Sequence, residues 1–311
     1  MKHYKLKNYA RQAGMTLIEL SVVLLILVGL AGLLVPYVGS FTQKTHDSTN
    51  SSNLASLNEA FIRFVAQENK LPHHMDSLTN HAVAAGTGAC AGAQVVGDPY
   101  CGLLDTGVFE KITYTKPAAA PANAAEIGYA SLASAKINMI VNNKTDATNK
   151  TFGSYTGMIG IDLYNAMAAA SVPLIKVGPA RDTTGAVPAS TDALVAAHLA
   201  AALGKDPMDY KPACYDYVAF GLGDANGLVS KTIAQSPVHY PEDATKGPVD
   251  YYNHYIAIAQ VDKSNSGTCT SITEPAKFLG VVMNVPAYPT SHLFGVNGSL
   301  AYGYENQVAG K

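Results

Sequence analysis

The polarity pattern along the chain changes character several times. Residues 15–38 (MTLIELSVVLLILVGLAGLLVPYV) are almost wholly apolar, and 20–43 contain no charged residue. Residues 39–53 turn polar, rich in Ser, Thr and Asn, which are weak helix formers. Over 54–68 the apolar positions Leu54, Leu57, Phe61, Phe64 and Val65 recur at helical spacing, with Glu59 and Arg63 at i, i+4 on the opposite face. Leu71-Pro72 predicts the end of that helix. Residues 73–123 read as irregular. Helices are expected over 124–141, 161–170 and 190–203; the last has Ser190 or Thr191 as cap, Leu194, Val195, His198 and Leu199 on one face, and Gly204 as stop. Four later segments, YDYVAFGL (215–222), YYNHYIAIAQV (251–261), KFLGVVMNV (277–285) and LAYGYE (300–305), are aromatic and β-branched and read as strands. Helices followed by a run of strands predict an α+β fold with an antiparallel sheet. There is no internal repeat.

Charge sharpens the reading of the N-terminus. The first 14 residues hold Lys2, Lys5, Lys7 and Arg11 and no acid; the net charge of the whole chain is −2, so the remainder carries about −6. A basic leader before an apolar run is a targeting signal, and its charge asymmetry predicts a cytoplasmic N-terminus. At ~1.5 Å per residue, 15–38 would extend roughly 36 Å, enough for a bilayer core of about 30 Å. A secretory signal fits poorly, because no small-residue cleavage site follows the apolar run. The small residue instead precedes it, at Gly14. Glu19 is the one charge within 15–38. A carboxylate among apolar neighbours needs a positive mate, and cleavage after Gly14 would create one in the ammonium of Met15, one helical turn away. Between chains the same pair would fix the register of neighbouring helices.

The run Gly14-Met15-Thr16-Leu17-Ile18-Glu19-Leu20, with its basic leader and long apolar segment, resembles the prepilin signal of type IV pilins and of the pseudopilins of type II secretion and competence. The resemblance covers about the first 70 residues. It implies cleavage between Gly14 and Met15 by a prepilin peptidase, N-methylation of Met15, and a role for Glu19 in guiding assembly. Pro36, after Gly29 and Gly32, resembles the family's helix-kinking region. The organisation expected is therefore a leader over 1–14, a transmembrane and filament-core helix over 15–38, its amphipathic continuation over 39–71, and an exported globular head over 72–311. The fold expected is α+β: a long N-terminal helix, half transmembrane and half amphipathic, packed against a large head with an antiparallel sheet. The location implied is the inner membrane, single-pass with the head in the periplasm, followed by a surface pilus (fimbrium) or a periplasmic pseudopilus. The partners implied are other pilin subunits, the peptidase and an inner-membrane assembly platform.

Other features alter this picture little. The sequence is 48% apolar and 14% charged, which excludes a disordered polyelectrolyte, and its acidity argues against nucleic acid as a partner. Cys90, Cys101, Cys214 and Cys269 make an even set without metal-site spacing, and two disulfides are expected. Three pairings are open; Cys90–Cys101 with Cys214–Cys269 joins sequence neighbours. His73, His74 and His81 lack a completing ligand at standard spacing and read as a polar loop rather than a metal site. Asp224-Ala225-Asn226-Gly227 resembles part of a calcium loop without its distal acid; a type I′ turn through Asn226-Gly227 is the simpler reading. No metal or cofactor is otherwise expected. Seven tyrosines between 210 and 255 suit strand packing or a binding surface. No GxSxG, HExxH or P-loop points to catalysis, and a non-enzymatic role is expected.

A structural filament subunit, more minor or specialised than major given its large head, is the leading expectation. A tip adhesin or other binding module is the second, and a tethered enzyme the third. The mature polypeptide is expected to begin at methylated Met15. Mass spectrometry of the cellular protein checks this, and an intact Met1 where a prepilin peptidase is active would contradict it.

Overall fold

The computed structural model describes residues 17–79, 104, 108–145, 152–160, 169–180, 186, 188–239, 252–264, 267–269, 272–285 and 292–294. The chain separates into two units, Met1–Thr45 and His46–Lys311. Helix α1, Leu17–Glu68, has 52 residues and contributes to both.

In the second unit, α1 buries the stripe that the sequence spacing marks. Leu54, Leu57, Phe61 and Phe64 are each at most 1% exposed. Phe61 stacks on Phe278 with ring centroids 3.7 Å apart. The polar stretch before the stripe is a poor helix former, and contacts with the sheet hold it. Tyr255 donates its hydroxyl to the carbonyl of Asn50 at 3.3 Å. Asn58 accepts from the Val281 N–H at 2.8 Å while donating to the Leu54 carbonyl at 3.1 Å. The outward pair Glu59–Arg63 is 2.5 Å apart but exposed, so it adds little. The helix ends at Glu68. Asn69 follows in the left-handed region (φ 49°) and donates its N–H to the Val65 carbonyl, an asparagine form of the αL stop.

Among the described residues nine strands form one sheet: β1 Met75–Asp76, β2 Phe109–Thr115, β3 Met139–Thr145, β4 Phe152–Gly160, β5 Ser171–Val177, β6 Tyr215–Gly221, β7 Ile256–Asp262, β8 Lys277–Val285 and β9 His292–Phe294. Their order is β4-β3-β1-β6-β7-β8-β9, with β5 also pairing β6 and β2 pairing β5. Helices α2 (Ala124–Ser134) and α3 (Asp192–Leu203) complete the regular elements, with a 3₁₀ turn at Pro207–Asp209. Alternate residues of β6 enter two different cores. Val218 and Phe220 join Leu54, Phe61, Tyr129 and Leu132 on the α1/α2 face. Tyr217 and Ala219 join Val195, Leu199, Ile258 and Val282 on the α3 face. The sheet is thus covered on both faces, and β6 is a nearly continuous apolar run for that reason.

Cys214, just before β6, bonds to Cys269 in the segment after β7, with Cα atoms 5.4 Å apart. Closing a loop of 55 residues removes on the order of 4 kcal/mol of unfolded-chain entropy. Cys90 and Cys101 lie outside the described residues.

The structure overturns several expectations. The sheet is mixed, not antiparallel: β1 runs parallel to β3, and the long connection through β2 and α2 is the crossover such pairing requires. Among the described residues no helix is long and apolar enough to cross a membrane. This corrects the expected transmembrane half of the helix and, with it, the single-pass inner-membrane location. The helix expected over 124–141 stops at Ser134. Lys136 takes a left-handed conformation (φ 60°), and the β-branched run beyond it becomes β3. Strands β2 and β5 occupy segments not expected to be strands; Phe109–Thr115 shows the half-buried alternation only when paired with β5. The segments 161–168 and 300–305 lie outside the described residues.

Replacing Phe61 with Ala is expected to lower unfolding stability by about 3–5 kcal/mol, read by chemical denaturation, since it removes a fully buried ring from the α1–sheet contact.

Candidate functional site

The first unit presents the most unusual surface. Ten large apolar side chains between Ile18 and Leu30 are each about half or more exposed, and those from Val22 to Val28 are consecutive. Seven consecutive residues at 100° per step go fully round the helix, so this is an apolar cylinder and not a stripe. A helix apolar on all sides is stable in water only when something surrounds it. Burying ten such side chains is worth on the order of 10 kcal/mol. Glu19 sits exposed within this segment, and Ser21 turns its hydroxyl back to the Ile18 carbonyl at 2.8 Å. Of the other residues singled out here by sequence, Gly14 and Met15 lie outside the described residues. Pro36 falls inside α1, whose helical assignment is continuous through it.

The second unit places the remaining candidates in structural roles. Asn226 is buried; its amide donates to the Gly223 carbonyl at 2.6 Å and its oxygen accepts from the Leu228 N–H at 2.9 Å. The segment is an Asx-stabilised turn. It is not the expected type I′ turn, because neither Asn226 nor Gly227 has a positive φ. Gly227 lies close to another segment: a Cβ there would meet the His73 backbone at 3.2 Å, and its N–H donates to the His73 carbonyl at 2.8 Å. Among the described residues no three His, Cys, Asp or Glu side chains cluster to hold a metal. His73 and His74 bring their Nδ1 atoms within 2.7 Å, and burial and His74 hold His73 below its ordinary value. His81 lies outside the described residues. Tyr217, Tyr252 and Tyr255 are fully buried and Tyr210 nearly so, which assigns these four to packing. Tyr240 and Tyr251 lie outside the described residues.

Sequence reasoning passed over a set of buried polar groups. Asp216 on β6 takes the Tyr114 hydroxyl at 3.2 Å and has Lys176 and Lys263 each 3.9 Å away. Burial pushes its carboxyl up, against the pull of both lysines. His198 on α3 donates Nδ1–H to the Gly178 carbonyl at 2.8 Å and accepts at Nε2 from the Leu293 N–H at 3.0 Å, tying α3 to β9 and to the chain end of β5. His239 donates Nε2–H to the Tyr252 carbonyl at 3.1 Å and sets its ring edge against Tyr255. Burial pushes His239 down to about 4. Neighbouring His254 is also lowered by burial, with Asp224 opposing, and lies 3.4 Å from the Ser236 hydroxyl. Ser236 also donates that hydroxyl to the Leu222 carbonyl, which ties this connection to the end of β6. The signal available in the sequence was His254 standing inside an apolar strand-like run.

No protein-family model matches the chain, nor does any curated protein or solved structure.

The buried histidines set a pH dependence. His239 binds a proton near 6.5 when unfolded but only near 4 when folded, so its stabilisation is present above pH 6.5 and is lost as pH falls toward 4. The difference is about 3 kcal/mol. Melting at pH 7 and pH 4.5 checks it: the wild type is expected to lose more stability between them than His239→Gln, which keeps a donor without the titration.

Proposed function

We propose that this chain is a subunit of a type IV pilin-like filament, assembled through the apolar N-terminal segment of α1. The observation that carries the reading is the fully apolar circumference between Ile18 and Leu30. Copies of the same helix packed side by side would bury that surface, and the energy at stake suffices to hold a polymer. Glu19 supplies what apolar packing lacks, a preferred axial register. Removal of residues 1–14 by a prepilin peptidase would create an ammonium at Met15, four residues before Glu19 in sequence, that could pair with Glu19 of the same chain or of a neighbour. Among apolar side chains every other register separates these charges at a cost of several kcal/mol. The sheet-containing unit then serves as the exposed body of the subunit, and the Cys214–Cys269 disulfide suits it to an oxidising compartment. Its role is structural, without catalysis.

Glu19→Ala is expected to leave folding and abundance unchanged while reducing recovery of the protein in sheared filaments at least tenfold. Recovery equal to the wild type would remove the register role.

A further inference from the structure

A cluster of charged side chains lies on the α1/α2 face of the sheet, across three neighbouring strands and the end of a fourth. Glu110 on β2 stands directly opposite Lys176 on β5. Lys176 stands opposite Val218 on β6, so Asp216, two residues earlier on that strand, lies on the same face. Lys263, just past β7, approaches Asp216 as well. Tyr114, buried in the core of this face, completes the cluster.

The distances are not those of a closed ion-pair network. The Asp216 side chain is 5% exposed, and those of Lys176, Glu110 and Lys263 are 27–29% exposed. Tyr114 donates its hydroxyl to Asp216 Oδ2 at 3.2 Å. Lys176 Nζ and Lys263 Nζ are each 3.9 Å from Asp216 Oδ1, beyond the about 2.7–2.9 Å of a charge-assisted hydrogen bond. Lys176 Nζ sits closer to Glu110 Oε2, at 3.3 Å. A buried carboxyl therefore faces an amine that is not bonded to it, and a second carboxylate holds that amine. Burial, with Glu110 adding to it, pushes the Asp216 carboxyl up toward its uncharged form, against the lysines and Tyr114.

We propose that Lys176 and Asp216 condense to an intramolecular amide, with Glu110 as the proton carrier. Glu110 takes a proton from the Lys176 ammonium. The freed electron pair on Nζ forms a bond to Asp216 Cγ. Tyr114 donates to Oδ2, where negative charge gathers in the tetrahedral intermediate. Glu110 delivers its proton to Oδ1, and a second proton from Nζ follows by the same route. The Cγ–Oδ1 bond breaks and Oδ1 leaves as water. Glu110 ends as it began, and no other reactant is needed. In bulk water the reverse reaction wins. Here the acid is buried and the amine is placed beside it, and a well-oriented pair reaches effective molarities of roughly 10⁵ M or more. The Glu110 contact at Nζ selects Lys176 over Lys263.

The link has a mechanical use. β2 and β5 pair along seven register positions, but β5 meets β6 at only two, Ile175 with Ala219 and Lys176 with Val218. An amide at that short junction fastens the β2–β5 pair covalently to the centre of the sheet. It also replaces two charges at a partly dry site with a neutral group. This goes beyond the filament reading and does not depend on it.

Mass spectrometry of the purified, reduced full chain tests it. The intact mass is expected one water below that of the sequence, and a tryptic digest should contain a branched peptide joining the segments around Lys176 and Asp216. Lys263→Arg should keep that peptide and Lys176→Arg should abolish it, with circular dichroism showing both variants folded. Glu110→Gln should slow its appearance by about a hundredfold or more. The full sequence mass with no branched peptide overturns the link. A branch at Lys263 overturns the choice of Lys176, and an unchanged rate in Glu110→Gln overturns the part given to Glu110.

Discussion

Packing of the Leu54–Phe64 stripe onto β6, β7 and β8 is the contact on which the second unit depends. It is a long-range contact, because the helix precedes β6 by about 150 residues. It therefore forms only when the sheet forms. It also rescues a weak stretch of sequence: residues 46–53 remain helical because Tyr255 and the buried side of Asn50 tie them to the sheet. Phe61 on Phe278 and Asn58 on the Val281 N–H fix where along the sheet the helix lies. Hydrophobic area supplies the energy, and a few polar contacts supply the register.

With both faces of the sheet covered, buried polar groups must be satisfied internally, as Asp216, His198 and His239 are. Each of them links elements distant in sequence, so burial has made them cross-braces.

The N-terminal segment of α1 follows other rules. Its side chains are apolar around the whole circumference, so the segment prescribes burial without prescribing a face. Leu and Val interchange freely at such a surface, and only a charge distinguishes one axial position from another. Glu19 has that distinction, which is why a single carboxylate carries so much of the proposed assembly.

Much of this was legible in local sequence. The stripe at 54–65 has helical period, Thr191 and Gly204 cap α3, and YDYVAFGL has the composition of a doubly buried strand; each signal lies within a dozen residues. Cys214 and Cys269 could be paired as sequence neighbours. The segments read wrongly are those whose state depends on a distant partner. FEKITYT alternates as a strand because β5 lies beside it, and the chain after Ser134 is a strand because β3 finds β1 and β4. Asn226-Gly227 has hairpin composition, yet its backbone is set by Gly227 pressing against His73, from a part of the chain about 150 residues earlier. The sequence by itself determined where apolar surface must be hidden and where α3 starts and stops, because these are properties of neighbouring residues. Only the tertiary structure decided strand order, the parallel pairing of β1 with β3 and the burial of His198, His239 and His254. Those depend on which distant segments meet, and no local pattern encodes that.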